Sequence, residues 1–223
     1  MRTVAIIPTA GSGERFGSAV PKPLVDLGGE PLVLRTLRVF EASSVVDGII
    51  LVVREDLKKG YEDLVARAGL RKVVACVAGG ATRTVSVRRG LSAIGPEAEV
   101  VIVHDGVRPF VTGAMIAEGV ALAKENGAAI AAVPLKPTVK LVDSVTGEVK
   151  GTLERARLFE VQTPQVFRRD VIEKAYALGL EATDDAALVE KAGGRVRVFP
   201  GSYRNIKITT PEDLLLAQAF LEG

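Results

Sequence analysis

Five short runs of apolar, largely β-branched residues punctuate the first 134 positions: TVAIIP at 3–8, GIILVV at 48–53, KVVACVA at 72–78, EVVIVHD at 99–105 and AAIAAVP at 128–134. None alternates polar with apolar, so each reads as a strand covered on both faces. Longer amphipathic stretches separate them, at 31–42 with Pro31 at the first turn, at 55–68, from about Thr84, and at 112–126. These have the period of helices. Strand–helix repetition of this kind predicts an α/β fold of Rossmann-like type, with a mostly parallel twisted sheet. With nearly half its 223 residues apolar, the chain has ample material for one core, and a single domain over 1–223 is expected. In such sheets ligands bind beyond the carboxyl ends of the strands, which directs attention to the loops at 9–22, 79–83 and 104–109.

The rhythm breaks at residue 136. TVKLVDSVTGEVKGTLER, at 138–155, alternates around the turn-like Val145-Thr146-Gly147 and reads as a hairpin. Residues 136–157 are therefore expected to project from the sheet as an arm, serving either as a surface excursion or as an interface. Helices near 170–178 and 185–192, a strand at 195–199 and a final helix from about Pro211 complete the pattern. The sequence contains no internal repeat, low-complexity tract or linker.

Composition removes several classes of function. The 29 basic residues are balanced by 27 acidic ones, aromatics make up 4% and Trp is absent, so a nucleic-acid partner is not expected. Cys76 is the sole cysteine, which rules out an intrachain disulfide and fits a reducing compartment. The apolar stretch at 4–7 ends at Pro8 and is too short for a signal peptide or membrane span. A cytoplasmic protein with no membrane partner is expected.

The first loop reads PTAGSGERFGSAVPKPL, at 8–24. It misses the dinucleotide fingerprint, because Phe16 occupies the third glycine position and Gly17 comes one residue late. It also lacks the Gly-Lys pair of the common phosphate loop. What remains is a backbone that can approach an anion closely, with Arg15 to grip two oxygens and Lys22, bracketed by Pro21 and Pro23, as a point charge. A triphosphate suits such spaced cations; a tight turn with solvated charges is the alternative. In AGGATRTVSV, Gly79 and Gly80 could lie against a flat ring and Ser86 could supply a hydroxyl, or Thr82 or Thr84 could simply cap a helix. In VIVHDGVRPF, Asp105 could approach a magnesium ion carried by a triphosphate. Arg108 could hold a phosphate or pair with Asp105. His104, the only histidine, follows an apolar run and is expected to pack in the core.

With these loops in place, the sequence resembles the 2-C-methyl-D-erythritol 4-phosphate cytidylyltransferases of the nonmevalonate isoprenoid pathway. AGSGERF…PKP, GGATRTVSV, HDGVRPF, TVK, LERARL, QTPQVF, TDDA and NIKITTPEDL carry the likeness nearly end to end. The resemblance implies a Mg²⁺-dependent reaction of CTP with a polyol phosphate, methylerythritol 4-phosphate, that releases pyrophosphate. It implies that Arg15 and Lys22 stabilise the charged transition state and that Lys207 aligns the attacking phosphate. Thr9, Ala10, Gly11, Ser12, Gly13, Gly79, Gly80, Ser86 and Asp105 would hold the nucleotide, with Asp105 near the metal. Arg108, Thr138, Arg155 and Thr163 would meet the second substrate. The 136–157 arm would swap between subunits of a homodimer, so Thr138 and Arg155 would serve the neighbour's site and Arg155 would act in its catalysis. Ala81 replaces a frequent acidic residue, Gly106-Val107 replaces a commoner Ala-containing pair, and PKP replaces PKQ. Ribitol-5-phosphate and sugar-1-phosphate nucleotidyltransferases are the neighbouring enzyme classes. A nucleotide-sensing regulator is the non-enzyme alternative, and three cations around one phosphorus argue against it.

Overall fold

The computed structural model describes residues 2–11, 16 and 20–222. Seven strands form one twisted sheet in the order β3-β2-β1-β4-β8-β5-β9. β1 (Arg2–Pro8) lies parallel to both β2 (Gly48–Val53) and β4 (Ala98–Val103), and β2 is parallel to β3 (Val73–Ala78). β5 (Ala128–Pro134) and β9 (Arg197–Pro200) are parallel to each other and join through the antiparallel β8 (Phe159–Arg168). The mostly parallel α/β fold expected from the apolar runs is therefore present.

Side-chain alternation divides the core. Ala5, Ile7, Ile49 and Leu51 face α1 (Leu32–Ala42), α2 (Lys58–Arg67) and α4 (Gly113–Asn126). Val4, Ile6, Ile50 and Val52 face α3 (Arg83–Ser92), α5 (Arg169–Ala177) and α6 (Asp185–Lys191). Both faces are covered, which is why these strands read as unbroken apolar runs. A third cluster, with Phe16, Leu27, Leu32, Val107, Ile208 and Ala217, packs α7 (Pro211–Glu222) beside the first loop. It draws the far end of the chain toward the near end.

The sequence reading omits β8. Its centre, Gln162-Thr163-Pro164-Gln165, is polar yet buried through Gln165, and Pro164 argues against a central strand. The ladder skips there: Gln165 pairs with Ile130 and Val161 with Ala132, so three residues oppose Ala131 alone. A bulge accommodates the proline and turns polar side chains inward.

The hairpin expected within 138–155 forms. β6 (Lys140–Val142) and β7 (Val149–Thr152) pair antiparallel, apart from the main sheet. Asp143 accepts from the N–H groups of Val145 and Thr146, and Gly147 takes the positive φ of 73° that closes the turn. Leu141, Val142 and Val149 are exposed, and Val145 at its tip is 93% exposed.

Candidate active site

A cavity of about 810 Å³ opens where β1, β3 and β4 end. Strand order reverses between β1 and β4, the position at which open α/β sheets bind ligands. Thr9, Ala10, Gly11, Lys22, Gly80, Ser86, Asp105 and Lys207 line it, together with Arg54, Thr82, Arg83 and Thr209. Ser12, Gly13 and Arg15 lie outside the described residues.

Each wall is fixed by its local sequence. Thr9 donates to Val52 O through both its N–H (2.7 Å) and its Oγ1 (2.8 Å), which pins the start of the first loop to β2. Lys22 begins a short 3₁₀ turn, Lys22–Leu24, whose Pro23 is buried, so the backbone beneath the ammonium is held. Gly79 and Gly80 are glycines for space. A Cβ on Gly79 would lie 2.3 Å from the Cβ of Ala10, and one on Gly80 would lie 2.1 Å from Val85 Cγ1. Thr82, not Thr84, caps α3 by accepting from Val85 N. Ser86 donates to Thr82 O and accepts from Gly80 N, so it can offer a ligand only a remaining lone pair.

Lys207 comes from 185 residues beyond Lys22 in sequence (207 − 22) and lines the same cavity. Its neighbour Ile208 is fully buried and donates to Val107 O at 3.0 Å, which locks this segment beside the loop after β4. Lys207 Nζ lies 3.0 Å from Asp105 Oδ2; Arg83 and Arg108 approach the same carboxylate at 3.4 and 3.5 Å. Burial alone would raise the Asp105 pKa, but Lys207, Arg83 and Arg108 outweigh it and hold the carboxyl well below its usual range.

Arg108 is buried and pairs with Asp105, its Nη1 donating to Asn205 O at 2.8 Å; it does not line the cavity. His104 is fully buried against Phe40, as its apolar neighbours suggest. Its Nε2 lies 3.2 Å from Arg108 O, a carbonyl that can only accept, so the proton sits on Nε2 and Nδ1 accepts from the Thr163 hydroxyl at 3.0 Å. Thr163 Oγ1 in turn accepts from Asp105 N at 3.1 Å. Thr163 is thus a buried brace behind Asp105, with its proton committed to the imidazole. Burial pushes the His104 pKa down to about 4, so the ring is neutral at pH 7.

Thr138 and Arg155 do not line this chain's cavity. Thr138 is exposed, and Arg155 is exposed with Nη1 donating to Lys136 O at 2.6 Å. Sequence reasoning missed Arg54 and Arg83 as cavity cations. Arg54 follows β2 directly and was legible by the strand-end rule; Arg83 sits inside a motif read chiefly for its glycines.

A cavity of about 810 Å³ at the switch point, large enough for a nucleotide and lined by four basic side chains and the backbone of Gly80, is a site that suits a nucleotidyltransferase. Residues 3–223 match the family described as IspD: 2-C-methyl-D-erythritol 4-phosphate cytidylyltransferase. A protein of that name from Geobacter metallireducens is 46% identical, over 100% of this chain and 98% of the relative. A bifunctional enzyme IspD/IspF from Desulforudis audaxviator is 51% identical over 99% of this chain, which spans 57% of that longer protein. Among solved structures, the 4-diphosphocytidyl-2C-methyl-D-erythritol synthase of Anaerococcus prevotii superposes with a TM-score of 0.88 at 34% identity, covering 100% of this chain and 96% of the other. The chain belongs to the 2-C-methyl-D-erythritol 4-phosphate cytidylyltransferase family.

Proposed function

We propose that the cavity is where the cytidylyl group of CTP passes to 2-C-methyl-D-erythritol 4-phosphate, giving 4-diphosphocytidyl-2-C-methyl-D-erythritol and pyrophosphate. The observation that carries the assignment of the site is the arrival of Lys22 and Lys207, from opposite ends of the chain, at one cavity. The attacking group is a phosphate oxygen, anionic at neutral pH, so no strong general base is required. His104, neutral and buried, and Cys76, whose thiol burial pushes up to about 11, are both unsuited to that role. Catalysis then rests on in-line placement and on positive charge where negative charge develops.

In this reading Arg15 and Lys22 meet the triphosphate, and Lys207 aligns the incoming phosphate with the α-phosphorus. The backbone from Thr9 to Gly13, with Gly79 and Gly80, cradles the nucleotide. The acceptor lone pair of Ser86 suits the exocyclic amine of cytosine better than the carbonyl of uracil. Among the described residues no group of three or more acidic, His or Cys side chains could hold a metal ion. Asp105 already faces Lys207, Arg83 and Arg108 through its two oxygens, so it could give at most one ligand to an ion that arrives on the triphosphate with the rest of its shell supplied by phosphate oxygens and water. Mg²⁺ bound there would neutralise phosphate charge. Arg108 and Thr163 act through Asp105.

The arm is proposed to exchange between two copies, bringing Thr138 and the catalytic Arg155 to the partner's substrate. Its detached two-stranded sheet and exposed apolar side chains support this. Among the described residues no helix is long and apolar enough to cross a membrane, and the single cysteine suits a cytoplasmic enzyme. To test the activity, purified protein is incubated with Mg²⁺, each of the four ribonucleoside triphosphates, and either methylerythritol 4-phosphate or ribitol 5-phosphate. Pyrophosphate release is expected with CTP and methylerythritol 4-phosphate. Equal or faster release with ribitol 5-phosphate, or with UTP, would overturn the assignment.

A further inference from the structure

One side of the cavity is tied to a carboxylate that never touches it. Arg83 lines the cavity and reaches in two directions: Nε lies 3.4 Å from Asp105 Oδ1, and Nη2 lies 2.8 Å from Asp185 Oδ2. Asp185 is fully buried at the start of α6. Its other oxygen, Oδ1, accepts from the hydroxyl of Tyr176 on α5 at 2.5 Å. Neither Asp185 nor Tyr176 lines the cavity.

The start of α6 is itself anchored. Gln165 of β8 donates to Asp184 Oδ2 at 2.8 Å and accepts from Ala186 N at 3.0 Å, while Asp184 caps the helix by accepting from Ala187 N. Asp185 therefore stands on rigid backbone. A buried carboxylate is costly unless its lone pairs are filled, and here one cation and one hydroxyl fill them. Burial pulls the Arg83 pKa down, but Asp185 and Asp105 more than offset it, so the guanidinium stays charged.

An arginine offers five N–H donors in one plane. Two of them account for the bonds to Asp185 and Asp105, and the short bond is the one directed away from the cavity. Were Asp185 uncharged, Arg83 would be free to close on Asp105, the carboxylate that Lys207 holds at 3.0 Å, or to swing into the space of the nucleotide. We propose that Asp185 is a positioning residue: through Arg83, with Tyr176 steadying it from behind, it sets the cationic wall that receives CTP. The inference rests on the cavity being the nucleotide site.

The test is a double-mutant cycle with Asp185→Asn, Arg83→Gln and the pair, read as steady-state kinetics for each substrate together with thermal melting. Each single change is expected to lower kcat/KM for CTP by about 10- to 100-fold, the range for a charge-assisted hydrogen bond, chiefly through KM. KM for methylerythritol 4-phosphate should move by less than about 3-fold, because Asp185 acts on the nucleotide wall. The double variant should be no worse than Arg83→Gln alone, since Asp185 has no route to CTP except that arginine. Tyr176→Phe, a smaller change kept for the case that Asp185→Asn fails to fold, should raise KM for CTP in the parent and do nothing in the Arg83→Gln background. Penalties that multiply in the double variants, or KM values for both substrates rising together, would overturn the proposal. Unchanged CTP kinetics in Arg83→Gln would overturn it too. In that case Lys22→Ala shows whether the wider site assignment also fails, which it does only if that variant is equally silent.

Discussion

Gly79→Ala tests the architecture of the nucleotide wall with a single methyl group. Gly79 has no positive φ, so alanine is conformationally acceptable and any effect must come from contact. The new Cβ would lie 2.3 Å from the Cβ of Ala10, 3.0 Å from Ser86 Oγ and 3.4 Å from Val52 Cγ1. Carbon atoms rest at ~3.5–4.0 Å, so the two methyl groups must separate by more than about 1 Å. Gly79 cannot give way, because its N–H donates to Val53 O at 2.7 Å at the end of β3. Ala10 must move, and with it the first loop between the pinned Thr9 and Lys22. Overpacking of this kind costs ~1–3 kcal/mol, lowering the melting temperature by roughly 2–4 °C for each kcal/mol. A displacement of ~1 Å in a positioning element costs on the order of 10²-fold in turnover. Pyrophosphate release and differential scanning calorimetry read the two effects. Ala10→Gly in the same chain removes the colliding methyl and should restore most of both, leaving only the looser Ser86 contact to settle. The reasoning is refuted if Gly79→Ala retains turnover within threefold of the parent, or if Ala10→Gly restores nothing.

Lys207→Ala is expected to lower kcat by ~10²–10³-fold, as for loss of one preorganised charge contact. Because Lys207 is partly exposed and Asp105 keeps Arg83 and Arg108, stability should fall by less than about 1 kcal/mol; kinetics and melting on one preparation separate the two. If the arm exchanges between two copies as proposed, Arg155→Ala and Lys22→Ala, each nearly inactive alone, should regain activity when mixed, one site being rebuilt from an intact arm and an intact loop; silence after confirmed subunit exchange would count against the swap. His104 gives a signed pH dependence. Its folded pKa of about 4 lies below the ordinary 6.5, so the unfolded chain takes up the proton first as pH falls. The stabilisation present above 6.5 is then lost between 6.5 and 4, by about 3 kcal/mol in urea unfolding, and His104→Gln should flatten that slope. Asp105, also held low, contributes a later loss below its usual 3.8.

What the sequence shows, and what it hides, follows from how each feature is encoded. β1, β2, β4 and β5 are visible because being covered on both faces demands apolar residues at nearly every position, as in β2, where all six are buried. β3, at the sheet edge, is at most half-buried and departs from that expectation, and only its apolar composition makes it legible. The hairpin arm is visible because alternation and a Gly147 turn are local properties. β8 is hidden because its inward residues are polar. Gln162, Thr163 and Gln165 are buried not by hydrophobicity but by partners elsewhere in the chain: Ser202, His104 and Asp184. A pattern reader scores such residues as surface. Lys22 and Lys207 are placed together by family resemblance and by no local signal. The same limit explains Asp185. Its partner Arg83 is 102 residues away, and its burial makes sense only once that charge is known to face it. A carboxylate in a sequence is by default a solvated group, and the information that this one is desolvated resides in the fold. The buried aspartates of this enzyme, Asp105 and Asp185, share the Arg83 guanidinium between them. One faces the cavity and the other stands behind its wall. Substitution behind the wall should therefore be as consequential for nucleotide binding as substitution in it, and no motif read along the chain separates the two.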